Sequence, residues 1–180
     1  MKEQDDKELV RQCLGGENKA FEIILDRYEK PIYNGILRMV NDPEDAADLT
    51  QSVFVKAYEK LTTYDPRFKF FSWLYKIAVN ASLNFLSHNK RQERLDERVV
   101  AEGRGLEEEF DESERYQKLE DAILALRPDF RILIVLRHFQ NLSYDEMSKI
   151  LDIPEKTVKS RLFTARQTLK NILVKSGLQG

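Results

Sequence analysis

The stretch LSYDEMSKILDIPEKTVKSRLFTARQTL, residues 142–169, decides the fold. Its first half reads as a short capped helix. Ser143 and Glu146 have the spacing of a capping box, in which each side chain serves the other's backbone N–H, and Met147, Ile150 and Leu151 are the apolar positions behind it. Asp152-Ile153-Pro154 then makes a tight turn. The helix after it runs to about Val174, with Val158, Leu162, Ala165 and Leu169 at helical spacing on one apolar stripe. Its other face presents Lys156, Thr157, Lys159, Ser160, Arg161, Phe163, Thr164 and Arg166. Two short helices joined by a short turn have helix-turn-helix geometry. The second helix of that motif enters the major groove and its N-terminal half meets the bases. Arginine and lysine suit phosphates and guanine edges, serine and threonine suit either, and an exposed phenylalanine can touch a thymine methyl. An ordinary amphipathic helix with a solvated basic face is the competing reading. The capped helix and turn that precede it favour the DNA reader.

Outward from this motif the chain reads as helix almost throughout. Upstream, Leu119, Ile123, Leu124 and Leu126 mark one helix, and Pro128 starts another through Ile132, Leu133, Val135, Leu136 and Phe139. Further back, from Lys90 to about Glu114, periodicity fails. Gly103 and Gly105 flank Arg104, and Glu107, Glu108, Glu109, Asp111, Glu112 and Glu114 form an acidic run, which cannot bury enough apolar surface to fold alone. Before it lie four more helices. Asp5-Asp6 can cap one that ends at Gly15-Gly16. The second follows Asn18 with Ala20, Phe21, Ile24, Leu25 and Tyr28, and Pro31 is expected to kink or interrupt it before Ile32, Ile36, Leu37 and Val40 resume the stripe. Asp42-Pro43 opens the third, which runs to about Leu61 over Ala46, Leu49, Val53, Phe54 and Ala57. A loop from Thr62 to Lys69 leads to the fourth, from about Phe71 to Asn89, with Leu74, Ile77, Ala78, Ala81 and Phe85 inward. The expected fold is all-α: two small helical domains, residues 1–92 and 115–180, joined by a flexible acidic linker over 93–114, the C-terminal domain being a helix-turn-helix.

The net charge of −2 conceals an asymmetry. Residues 1–90 carry 13 basic and 14 acidic side chains, residues 91–120 carry 6 and 11, and residues 121–180 carry 10 and 6. Basic charge is thus concentrated where the DNA reader lies. The small surplus predicts that the free chain grips DNA poorly, because non-specific affinity comes mostly from phosphate neutralisation.

Other classes find little support. No apolar run approaches the roughly 20 residues of a membrane span, and Met1–Lys7 is polar and acidic, unlike a signal peptide. The single cysteine, Cys13, excludes an internal disulfide and reads as a small buried residue of a cytoplasmic protein. His88 and His138 stand on different domains, no cysteine–histidine cluster has metal-ligand spacing, and phosphate-binding glycine loops are missing. Glu44, Asp45 and Asp48 cluster at a helix start, where carboxylates favour the dipole. No enzyme, metal or cofactor is expected.

Two blocks carry a family resemblance. The segment 142–169 resembles the C-terminal promoter-reading domain of bacterial sigma factors of the sigma-70 family, extracytoplasmic-function (ECF) group. Independently, AFEIILDRYEKPIY (20–33), DPEDAADLTQSVFVKAYEKL (42–61) and FFSWLYKIAVNASLNFLSHNKR (70–91) resemble that family's N-terminal domain. The blocks stand in the family's order and together span about residues 5 to 175.

The resemblance implies a partner set: core RNA polymerase through its clamp and flap, promoter DNA, and an anti-sigma factor. The helix at 43–61 would dock on the clamp through Asp45, Asp48, Gln51, Ser52 and Val55, where bare spacing alone would suggest a solvated face. The loop and helix that follow would hold the single-stranded minus-ten element, which needs stacking surfaces and cations. Tyr64, Arg67, Lys69, Trp73, Lys76, Asn80 and Asn84 are the candidates, with Phe68, Phe70, Phe71 and Arg91 nearby; for Trp73 a core position is the alternative. The last helix would read the minus-thirty-five element through Lys156, Thr157, Lys159, Ser160, Arg161, Phe163 and Arg166. The family's usual text before TVKSR is a small apolar residue and glycine; Glu155-Lys156 stands here instead, and Thr164 replaces a frequently basic residue. The acidic linker is either a solvated tether or a segment that imitates nucleic acid inside polymerase. Two competitors remain: a stand-alone regulator that binds duplex DNA unaided, and an adaptor with no DNA role.

Overall fold

The computed structural model describes residues 5–93 and 112–177, and all regular structure among them is helical. The glycines and most of the acidic run of the expected linker lie outside these residues, but its ends do not: α4 (Phe70–Glu93) is helical to Glu93 and α5 (Glu112–Leu124) begins at Glu112. The described residues form two compact units: those up to Ser82 group with Lys149–Asp152, and the remainder form the second.

The N-terminal unit is built on α1 (Asp6–Leu14), α2 (Asn18–Val40), α3 (Pro43–Glu59) and the first part of α4. Asp5 precedes α1 but makes no side-chain cap bond. Asp6 instead ties α1 to α2, since its carboxylate accepts from Tyr28 and Arg27. Burial, then Asp6, push the Tyr28 hydroxyl pKa well up. Gly16, at φ +95°, ends α1 in a conformation that glycine alone adopts cheaply. Pro31 does not interrupt α2, which is one helix of 23 residues. Ile24, Ile32, Ile36 and Met39 are all buried on either side of the proline. Burying each such side chain is worth about 1.5–3 kcal/mol, which outweighs the roughly 3 kcal/mol that an interior proline costs. α3 starts as expected: the Asp42 carboxylate accepts from the backbone N–H groups of Glu44 and Asp45, each at 2.9 Å. Ala46, Val53, Phe54 and Ala57 face inward, and a 3₁₀ turn, Leu61–Thr63, leads into the loop before α4. α4 packs on α2 so closely that a Cβ built on Gly35 would meet the Tyr75 hydroxyl at 1.9 Å and its ring at 2.8 Å.

The C-terminal unit contains α5, α6 (Pro128–Ile134), α7 (Tyr144–Leu151) as far as Ser148, and α8 (Glu155–Lys175). α6 does not continue as plain α-helix; it widens into a π turn over Val135–Phe139. Buried Ala122, Ile123 and Ile132–Leu136, on α5, α6 and the π turn, make the core on which the buried stripe of α8 sits. The Arg131 guanidinium donates to the carbonyls of Leu124 and Leu126, closing the end of α5. Its burial lowers its pKa, because the charged form loses water.

The Gly35 contact gives a direct test. Gly35→Ala should destabilise the protein by about 1–3 kcal/mol, as overpacked buried sites do, read by denaturant unfolding. Adding Tyr75→Phe, which removes the nearest clashing atom, should restore part of the loss.

Candidate nucleic-acid interface

The geometry of α7–turn–α8 follows from a few local bonds. The capping box forms: Glu146 Oε2 accepts from Ser143 N–H at 2.8 Å and Ser143 Oγ accepts from Glu146 N–H at 3.2 Å. Asp152 takes the left-handed conformation, φ 55°, which aspartate tolerates better than most residues. The Ser148 hydroxyl then donates to Ile153 C=O at 2.6 Å, and Ile153 N–H donates back to Ser148 C=O at 3.2 Å. The turn is therefore fixed, and so is the start of α8.

Val158, Leu162 and Ala165 are buried and Leu169 half-buried, which sets the rotation of α8 about its axis. Lys156, Lys159, Ser160, Arg161 and Phe163 consequently face solvent, Phe163 being 63% exposed, and Thr157 is half-buried. Arg166, exposed like them, also has a partner within the unit. Its Nε donates to Nε2 of His138 at 3.2 Å, and both side chains line an apolar groove with Leu119, Ile123, Leu169 and Leu173. Arg166 remains exposed, so it faces solvent as well as lining the groove. Burial, then Arg166 and Arg137, lower the His138 pKa.

Two residues that sequence reasoning missed join this face. The Tyr144 ring has the Arg137 guanidinium 5.1 Å and the Lys159 ammonium 5.3 Å from its centroid, and Arg137 donates to Leu142 C=O at 2.8 Å. Tyr144 could have been suspected as the first residue of a capped helix. Arg137 carried no signal, because the turn that brings it near is not periodic.

The loop before α4 is preorganised. Arg67 N–H donates to Asp65 at 2.9 Å and the Arg67 guanidinium pairs with the same carboxylate at 2.6 Å, which holds the Asp65 pKa low. Tyr64 is corrected from a stacking surface to part of the loop's core. It is 8% exposed, its ring packs on Phe70 and Trp73 at 5.3 and 5.8 Å, and its hydroxyl donates to Phe68 C=O at 2.7 Å. Trp73 also packs on Phe70 yet stays half-buried, so both of its readings keep a physical basis. Arg67, Phe68 and Lys69 are exposed, as are Asn80 and Asn84, with Lys76 half-buried on the same helix. The Arg91 side chain lies outside the described residues.

On α3, Asp48, Gln51, Ser52 and Val55 are exposed together and Asp45 is half-buried. Beside them α2 and α3 leave a groove of about 920 Å³, lined by Phe21, Leu25, Tyr33, Phe54, Val55 and Tyr58 among others. Among the described residues no cluster could hold a metal, and no helix is long and apolar enough to cross a membrane.

Comparison with known proteins converges on one group. Residues 24–92 match the family described as sigma-70 region 2, and residues 116–169 match sigma-70, region 4. The chain is 32% identical to the RNA polymerase sigma-H factor of Pseudomonas aeruginosa, over 95% of each chain. It is 34% identical to the ECF RNA polymerase sigma-E factor of Haemophilus influenzae, over 92% of this chain and 94% of that one. Two solved structures share the fold. CnrH in complex with the cytosolic domain of CnrY superposes with a TM-score of 0.73 at 24% identity, over 94% of this chain and 97% of that one. The sigma factor RpoE in complex with the anti-sigma factor NepR, from Bartonella quintana, gives 0.66 at 24%, over 86% and 97%.

Two outcomes follow from the geometry. Arg161→Ala should weaken low-salt duplex binding by the full chain and reduce the slope of log affinity against log salt by about 1, the share of one phosphate contact; fluorescence anisotropy reads both. For His138 the folded pKa lies below the ordinary 6.5, so its contribution is complete above that value and is lost as pH falls through it. Melting temperature should therefore fall as pH drops below about 6.5, and His138→Asn should flatten that part of the profile.

Proposed function

The chain belongs to the ECF RNA polymerase sigma factors, and from that premise we propose how its surfaces divide the work of starting transcription. It is a transcription-initiation factor of two helical domains: it binds core RNA polymerase, recognises promoter DNA and promotes strand opening. In our reading residues 1–92 form the polymerase-docking and minus-ten domain, 93–114 the linker, and 115–180 the minus-thirty-five domain.

The observation that carries the upstream half is the fixed rotation of α8, whose buried stripe leaves Lys156, Lys159, Ser160, Arg161 and Phe163 outward. With Thr157 they read the duplex in the major groove. Downstream, Arg67, Lys69 and Phe68 offer cations and an open ring at the loop, and Lys76, Asn80 and Asn84 continue along α4 for the separated strand. Trp73 supplies its exposed edge, and Tyr64 acts only by bracing the loop. The face Asp45, Asp48, Gln51, Ser52 and Val55 docks on the polymerase clamp. Val55, 54% exposed beside the groove, gives that face an apolar centre.

Control comes from an anti-sigma factor, the kind of partner named in the complex of the Bartonella quintana relative. The chain performs no catalysis of its own, takes no cofactor and works in the cytoplasm.

Run-off transcription with core polymerase on a promoter library tests the role: transcripts that require the chain support it, and no stimulation on any template overturns it. Val55→Arg should lower affinity for core polymerase by on the order of tenfold, the loss expected of an anchor at the centre of an interface, while the melting temperature stays close to that of the wild type.

A further inference from the structure

The first turn of α8 is not the plain basic surface that phosphate attraction alone would favour. Glu155 opens the helix after Pro154, and the N-cap position supplies no side-chain hydrogen bond. Its carboxylate stands 46% exposed on the side that meets DNA, with Lys159 Nζ 2.6 Å from Oε1. The same ammonium lies 5.3 Å from the centroid of Tyr144, which reaches it from α7. Lys159 is thus held between an acid one turn behind it and a ring on the neighbouring helix. The outcome is an acceptor and a donor side by side, fixed on the part of the helix that approaches base edges.

For non-specific binding a carboxylate here is unfavourable, since it removes a unit of positive charge and repels phosphate. It also faces the acceptors of guanine and thymine with repulsion. Only an exocyclic amino group offers it a hydrogen. Cytosine presents N4–H in the major groove, and its paired guanine presents O6 and N7 beside it. A C·G pair therefore shows a donor next to acceptors, the complement of an acceptor next to a donor. Adenine also has an amino group, but its paired thymine offers one acceptor and a bulky methyl, a poorer match to an ammonium.

We propose that Glu155 and Lys159 read one C·G base pair of the upstream promoter element as a unit, Glu155 accepting from cytosine N4–H and Lys159 donating to guanine O6 or N7. This rests on α8 being the duplex-reading helix. Tyr144 is the positioning residue, acting through Lys159.

The test is selection from a promoter library with the upstream element randomised, using core polymerase with the full chain and reading bound sequences. The wild type should prefer C·G at one position by on the order of tenfold. Glu155→Ala should erase that preference at that position alone. Glu155→Gln should move it towards A·T, because an amide pairs with adenine's N6 and N7. Lys159→Ala should weaken the same position. Identical preferences in wild type and Glu155→Ala overturn the inference and leave the promoter-reading role intact. So does a change spread evenly over all positions, which would mean that Glu155 acts only by charge. A wild type that enriches no sequence overturns both.

Discussion

Every surface of the C-terminal unit depends on one constraint: α8 must bury Val158, Leu162 and Ala165 on its inner side. That stripe leaves the helix one rotational setting. Turning it would put Lys159 or Arg161 into a core of Ile123, Ile132 and Leu136, where an unpaired charge is prohibitively costly. The turn at Asp152 and its paired bonds with Ser148 fix where the helix begins. Rotation and starting point together decide which side chains can reach a base edge. Packing on one face thereby sets recognition on the other.

The N-terminal unit works by the same logic with different chemistry. Its core aligns α2, α3 and α4, and the Gly35–Tyr75 approach shows how tightly. What remains outward is a mixed acidic and apolar face on α3 and a loop stiffened by Asp65, Arg67 and Tyr64. A protein that must hold an unpaired strand gains from a loop already in shape, because ordering it on binding would subtract from affinity. The near-neutral charge of the chain fits a factor that depends on polymerase to bring it to DNA.

Much of this was legible in the residues. The Ser143–Glu146 box, the Asp42 cap and the stripe of α8 are local devices, and each appears where its spacing places it. Reading failed where tertiary contact overrides local preference. Pro31 sits inside a continuous α2 because buried isoleucines on both sides hold it there. Tyr64 looked like a stacking ring but completes an aromatic core, since residue type alone does not say which way a ring turns. The bond from Arg166 to His138 was likewise not legible, because the π turn of Val135–Phe139 carries that histidine and no sequence period announces the turn. Arg137 and Tyr144 joined the interface by proximity across a turn.

One chain is held to place α8 on the upstream element and α4 on the opened strand of the same promoter. Site-directed cleavage measures this most directly. A metal chelate would be attached through cysteine at Ser160 or at Asn84, in a chain whose buried Cys13 is replaced by alanine. Complexes with core polymerase on one end-labelled promoter would then be mapped for cuts. The account predicts cuts around minus thirty-five from position 160, and cuts around minus ten, confined to open complexes, from position 84. Cuts at one common site from both positions, or none from position 160, would contradict it.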